Sequence, residues 1–361
     1  MMTDEIRQRI SAVKTWLSDP QTRKLLFSAD PATQSFCQLR LQWLADSNAL
    51  ENQAEKELGQ APWLAPEQVL IIDDGCNPLS VLDTFLAACL TGSRVRIKTR
   101  YHREWLAALC RHLDPGNTLY YVVCPGLSDA ALLRGTDTVI TAGDDALIRH
   151  WRAVTPPHIR LIESATKISA MAICGADLPA PELILWDTCL FSQQVNSSPR
   201  FILLDSPMIA ERLCLSLTQL LDELPRLPES VRLLQMAKTK ELTLRHILTP
   251  ALKPAAYSPG SGWGITLQRT FDPERFLPYG FNLIAGDTEE NLKQAAKHWP
   301  GQLETLSYHG RTDPAAIKAS RFTRYCAAGQ MHNHPLCLSS AVTFITDESK
   351  AKVTLTTQQD M

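Results

Sequence analysis

Apolar residues change their spacing near residue 60 of this chain. Over residues 1–60 they recur at helical intervals, as in IRQRISAVKTWL, with the charged stretch ENQAEKEL among them. That period predicts a helical N-terminal segment. After the breaker-rich GQAPWLAP, short apolar runs alternate with amphipathic stretches. QVLIIDDG, RVRIKT, TLYYVVC and TDTVITAG predict strands, and PLSVLDTFLAACLTG, HREWLAALCRHL, LSDAALLRG and DDALIRHWRAV predict helices between and after them. Gly92 is the residue type that closes a helix, and the acids opening DDALIRHWRAV suit the positive end of a helix dipole. Strands alternating with helices at this spacing imply βαβ units on a mostly parallel sheet, the architecture of a nucleotide-binding domain.

A second alternating series is expected from HIRLIESATKISAMAI onward. It takes in LFSQQVNSSPRFIL, where an apolar lead-in meets a short polar loop and then a strand. The helix SPMIAERLCLSLTQLLDEL follows, then charged helical sequence and the Gly- and Pro-rich KPAAYSPGSGWG. Beyond it, ITLQRTF and FNLIAG read as strands, and DTEENLKQAAKHW as a helix. The ending AVTFITDESKAKVTLT reads as two β segments around a polar turn. The expected organisation is a helical segment at 1–60, a nucleotide-binding domain at 61–160, a second α/β domain at 161–310, and a return to the first domain at 311–361.

At 361 residues the chain has the length for two such domains. Its 45% hydrophobic and 20% charged residues are what a globular protein with a sizeable core uses. The net charge of −2, with Lys and Arg scattered, offers no basic stripe for nucleic acid. No apolar run approaches the about 18 residues of a membrane span, and the charged start lacks a signal peptide's apolar core. Ten dispersed cysteines without a CxxC pair predict free thiols in a cytoplasmic protein.

Several polar residues stand where chemistry is placed in α/β proteins. Gly143 lies between a strand and a helix, where a phosphate can approach free N–H groups, although Asp144 and Asp145 crowd it. Lys98 ends a strand and can reach a ribose or phosphate, or remain a solvated lysine. Asn77 sits at a strand-to-helix corner, either donating to an oxyanion or bonding its own turn. Glu163, between apolar segments, is a general base if partly buried, or else half of a salt bridge with a residue such as Lys167. His332 and His334 have too few neighbouring ligands for a metal site and read as surface residues.

In this order, the parts resemble the aldehyde dehydrogenase superfamily, and within it the fatty-acyl-CoA reductase family of bacterial bioluminescence. The resemblance is carried by GCNPLSVL, by the strand ending Ile97-Lys98-Thr99, by TVITAGDDALIRHW, and most specifically by WDTCLFSQQ within 183–203. It runs from about residue 65 to 345. It implies an aldehyde dehydrogenase-like α/β fold of two parallel-sheet domains, the second of catalytic type. It also implies a short C-terminal β arm that joins subunits in a homo-oligomer. NADPH or NADH would be the cofactor, NADPH being favoured, and an acyl thioester or aldehyde-type molecule the substrate. An acyl-activating protein would be a partner. Position by position, Asn77 would supply an oxyanion-hole amide, and Lys98 would bind the adenosine ribose or its phosphate. Gly143 would lie under the cofactor, with Lys167 among its contacts; Glu163 would be the general base, and Glu274 would hold the nicotinamide ribose.

The nucleophilic cysteine of that family falls on Asn196. Its reaction needs a thiolate to hold the acyl group as a thioester before hydride arrives, and an amide forms no such adduct. Ser197 and Ser198 flank the position but attack only with a strong base, and Cys189 is a thiol seven residues earlier. The chain also lacks the family's His-Asp-Gly tract, with YCAAGQMHNHPL standing there. The expected function is an NADPH- or NADH-dependent, acyl-thioester reductase-like protein working without a cysteine adduct; the alternative is a non-catalytic protein that binds an acyl group or a partner in a biosynthetic complex.

Overall fold

Runs of aliphatic and β-branched residues form the strands expected of them. The computed structural model describes residues 3–20, 30–46, 48–59, 62–124, 126–175, 177–248, 256–310, 320–334 and 336–344. The chain divides into two compact units, 1–165 with 335–361, and 166–334.

The first unit opens with helices α1 (Asp4–Ser18), α2 (Pro31–Asp46) and α3 (Ala49–Leu58). The apolar stripe of α1, through Ile6, Ile10, Val13 and Leu17, is buried, which is what its helical spacing demands. Strands β1 (Trp63–Leu64), β2 (Gln68–Ile72), β3 (Arg94–Lys98), β4 (Tyr120–Val122), β5 (Thr138–Ala142) and β6 (Arg160–Ser164) follow. Between them lie helices α4 (Pro78–Thr91), α5 (Arg103–Leu113), α6 (Asp129–Leu133) and α7 (Asp145–Val154). Five of these strands form a parallel sheet in the order β4-β3-β2-β5-β6. The last four residues of β2 are buried, as a central strand covered on both faces must be. Leu70, Ile72 and Val139 pack with Trp151 on one side of this sheet. The chain leaves β2 for β3 on one side and comes back to β5 on the other, so a crevice opens at the carboxyl ends of β2 and β5.

Two expectations change here. The second series was expected to begin near residue 158, but Arg160–Ser164 pairs with β5 as the edge of the first sheet. Apolar pattern marks a strand without saying which neighbour it will bond. At the far end, Thr343–Phe344 pairs antiparallel with β1 inside the first unit. The rest of the expected β arm, 345–361, lies outside the described residues.

The second unit contains strands β7 (Ile168–Cys174), β8 (Pro199–Leu204), β9 (Ala256–Tyr257), β10 (Gly264–Gln268), β11 (Phe281–Ala285), β12 (Leu303–Gly310) and β13 (Arg324–Ala327). They form one sheet in the order β13-β12-β7-β8-β11-β10-β9, parallel except for β9. Helices α8 (Pro181–Cys189), α9 (Pro207–Leu220), α10 (Glu229–Leu248) and α11 (Thr288–His298) belong to the same unit. Residues of β7 alternate between two cores: Met171 and Ile173 face one cluster, Ala170 and Ala172 the other. That is the two-residue period of a strand buried on both faces. In the second cluster Phe201 packs against Phe271, Phe276 and Trp299, with ring centroids 5.6–5.9 Å away.

Candidate functional site

In the first unit, the carboxyl edge of the sheet gathers Asn77, Lys98, Gly143 and three aspartates. Asn77 caps α4: its Oδ1 accepts the Leu79 N–H at 2.9 Å, and Pro78 opens the helix. The acceptor end of its amide is spent on its own turn. Lys98 pairs with Asp129 at 3.3 Å and lies 5.3 Å from the centroid of the Trp151 ring. Gly143 is packed so closely that a Cβ there would come within 3.1 Å of the Asp74 Cβ and 2.7 Å of a Leu147 methyl. Asp144 caps α7, its carboxylate accepting the Leu147 N–H at 2.8 Å. Asp73 accepts from Thr99 Oγ1 at 2.6 Å and contacts His102 Nδ1 at 2.9 Å. Burial works to raise the Asp73 pKa, but hydrogen bonds from His102 and Thr99 hold it below the usual carboxylate range. Asp74 is pushed up, by burial first and by the charges of Asp73 and Asp144 as well.

Glu163 does not sit in the partly buried setting that would favour a general base. It is exposed and gripped by Arg152, with Nε at 2.6 Å from one carboxylate oxygen and a second bond to the other. That bidentate pairing draws its pKa below the usual range and occupies both carboxylate oxygens. Its ion-pair partner is thus Arg152 rather than Lys167, whose Nζ donates to the Gly301 carbonyl at 2.9 Å.

In the second unit, the turn between α8 and β8 holds Asn196 and Ser197. Phe191, Ser192 and Gln193 take φ of +54°, +52° and +58°, three successive side-chain-bearing residues in the left-handed region. Such a run persists only where its surroundings enforce it. Gln193 is the anchor: Nε2 donates to the Pro199 and Gly280 carbonyls at 2.7 and 3.0 Å, and Oε1 accepts the Gly280 N–H at 2.5 Å. Gly280 can approach this closely because it has no Cβ, which would otherwise lie 2.2 Å from the Gly264 carbonyl oxygen. Asn196 is half-buried; its Oδ1 accepts the Lys167 N–H at 3.1 Å, and its own carbonyl accepts from Ser169 Oγ at 2.6 Å. Cys189 belongs to the apolar core under the turn, and Ser198 is wholly buried. Glu274 is exposed in a short 3-10 turn, its N–H bonded to Asp272 at 3.2 Å.

His332 overturns the surface expectation. It is 8% exposed, and Nδ1 lies 2.9 Å from Ser197 Oγ while Nε2 lies 2.9 Å from the Asp187 carbonyl oxygen. A carbonyl only accepts, so Nε2 carries the proton and Nδ1 is left to accept the serine hydroxyl. The Asp187 carboxylate meanwhile accepts the N–H groups of Gly329 and Met331 at 2.7 and 3.0 Å, holding the segment that presents the ring. Burial drives the His332 pKa down to about 4. Among the described residues no cluster of three or more His, Cys, Asp or Glu could hold a metal ion.

No family model matches the chain, and no curated protein matches its sequence. Solved structures do. Aldehyde dehydrogenase 21 from Physcomitrella patens, in complex with the reaction product succinate, superposes with a TM-score of 0.71 at 10% identity, over 94% of this chain and 84% of that one. Succinic semialdehyde dehydrogenase from Streptococcus pyogenes, in complex with NADP+, gives 0.69 at 11% identity over 95% and 90%. A putative aldehyde dehydrogenase from Anabaena variabilis gives 0.66 at 15% identity over 94% and 87%. The fold is that of the aldehyde dehydrogenases.

An aldehyde dehydrogenase fold invites a test for a nicotinamide dinucleotide at the first unit's crevice. One pocket at this edge, lined by Ile72, Asp73, Asp74, Ser80, Thr84 and Ala142, encloses about 20 Å³, room for one water. The N-terminus of α7 is already capped by Asp144, with Asp74 packed beside Gly143. A pyrophosphate there would meet the Asp74 and Asp144 carboxylates beside the helix N–H donors. As arranged, these residues do not fit that group. Sequence reasoning missed the Asp187–His332–Ser197 chain of contacts, because His332 lies 135 and 145 positions from the other two. The nearest signal was WDTC beside the turn and the odd HNH spacing, neither of which points to the other.

Proposed function

We propose that this chain handles an acyl thioester or aldehyde-type molecule on an aldehyde dehydrogenase fold, without a cysteine-bound thioester. The observation that carries the reading is Asn196. It occupies the position where the resemblance puts the nucleophile, in a turn still anchored by Gln193, and its side chain is bonded to the Lys167 backbone. A turn held this firmly preserves a binding geometry, while the amide contributes no covalent chemistry. The carboxylates at the first unit's crevice point the same way, toward a protein that binds the acyl partner and does not reduce it.

A second reading, an NADPH- or NADH-dependent reductase of acyl or aldehyde-type substrates, draws on Lys98 at the end of β3 and on the shared fold. Melting measurements separate the two. A ligand that binds the folded state alone raises the melting temperature by mass action. A medium-chain acyl thioester is expected to raise it, and NADPH and NADH to leave it unchanged. A clear rise with either dinucleotide would favour the reductase reading; no rise with the acyl thioester would remove the first. Restoring a thiol provides a direct check on the turn: Asn196→Cys should become acylated by an acyl-CoA, which an inert variant would contradict.

A further inference from the structure

We propose that Ser197 is an acyl-accepting nucleophile and His332 its general base, forming a serine acyl-transfer site beside Asn196 in the second unit. The inference rests on the acyl-handling reading above and supplies it with a reaction. The geometry has a nucleophile, a base and a group that orients the base, with Ser197 itself 5% exposed. The hydroxyl is 2.9 Å from Nδ1, within reach for proton transfer. The opposite nitrogen is held by the Asp187 carbonyl at 2.9 Å, which fixes the tautomer whose lone pair faces the serine. The ring itself is immobilised: Phe191 packs edge-on against it at 5.7 Å. Gly329 and Met331, just before it, are tied to the Asp187 carboxylate, and Arg324 donates to the Met331 carbonyl. Asp187 is a positioning residue here; it touches the base and its loop, not the substrate.

The bonds balance without a cofactor. Ser197 Oγ attacks the thioester carbonyl carbon as its proton passes to His332 Nδ1. The C–S bond then breaks, and the proton leaves on the thiol, so the acyl group remains as a serine ester. Water attacks that ester by the same proton route, releasing the acid and restoring the hydroxyl. An alcohol or amine in place of water gives transfer in place of hydrolysis. Nothing is oxidised or reduced, which agrees with a first-unit crevice lined by carboxylates. The groups facing the imidazole are the Asp187 and Trp186 backbones, the Ser197 hydroxyl and the charge of Arg324; burial keeps the ring neutral well below pH 6 and makes it a weak base, so acylation is expected to be slow.

The test uses the full chain with p-nitrophenyl hexanoate and a hexanoyl thioester, without nicotinamide. Intact mass and peptide mapping should find one hexanoyl group on Ser197. Ser197→Ala should carry none, and His332→Gln should acylate about 10²-fold more slowly or worse. The acylation rate should stay level from pH 8 to about pH 7, above the Asp187 carboxyl at about 6 and with the imidazole neutral throughout. Should Ser197→Ala fail to fold, Ser197→Cys keeps a side chain of similar size and should label faster than wild type. A wild-type chain with neither an adduct nor release of p-nitrophenolate, an adduct that survives Ser197→Ala, or a rate indifferent to His332→Gln would overturn the assignment. If the hexanoyl thioester raises the melting temperature yet leaves no adduct and is not cleaved, the dyad falls and acyl binding stands. If it does neither, both fall together.

Discussion

Protonation of His332 gives a quantitative handle on the second unit's site. The perturbation is His332→Phe, which keeps a ring of similar size and removes the titrating nitrogens. Burial lowers the imidazole pKa from the usual 6.5 to about 4 in the folded chain. The folded value lies below the unfolded one, so as pH falls the unfolded chain takes the proton first. The stability gained by keeping the ring neutral is therefore complete above pH 6.5 and is lost as pH falls toward 4. A tenfold change in proton affinity is worth about 1.4 kcal/mol, so the whole displacement is worth about 3 kcal/mol, and the part lost by pH 5 about 2 kcal/mol. Asp187 titrates with the opposite sign. Burial raises its carboxyl to about 6, so the folded chain binds that proton first and gains stability as pH falls. Asp187 is present in both proteins, and the difference between them isolates the imidazole. Scanning calorimetry of both chains between pH 7 and pH 5 should show wild type losing about 4–8 °C of its lead over His332→Phe. A lead that stays constant over that range would refute the buried neutral ring, and with it the hydrogen-bond direction argued for Ser197.

Two other outcomes follow from the same geometry. Gln193→Leu strips partners from the buried N–H and carbonyl of Gly280 and from the Pro199 carbonyl; it should lower stability by roughly 3 kcal/mol in denaturant titration and abolish any acylation at the turn. Asp74→Asn combined with Asp144→Ser removes two charges from the crevice and keeps a capping hydroxyl on α7. In that double variant NADPH should raise the melting temperature where it leaves wild type unmoved, and equal responses would show that the carboxylates do not decide dinucleotide binding.

Much of the architecture was legible before any coordinate. The strand β2 announces itself as QVLII, and α4 is bounded by Asn77 with Pro78 at one end and Gly92 at φ +100° at the other. These are local signals, set by backbone preference and by the period of apolar positions. The turn at 190–198 was also visible as a break between apolar runs. The strand Arg160–Ser164 was visible too, yet its membership of the first sheet was not, since pairing depends on which neighbour packing brings alongside.

The side-chain partners lay beyond that reach. Glu163 was expected as a base or a Lys167 partner and is held instead by Arg152, eleven residues upstream across a helix-to-strand connection. His332 looked like half of a surface His-x-His and is instead buried against Ser197, 135 positions away. What the amino-acid order determined by itself was where strands and helices begin and end, the parallel α/β class, and the absence of a cysteine at position 196. Tertiary structure alone decided which side chains meet, which carboxylates line the crevice and which ring stays neutral. Periodicity is a property of neighbours along the chain, whereas desolvation and hydrogen-bond partnership arise only once distant segments exclude water from one another.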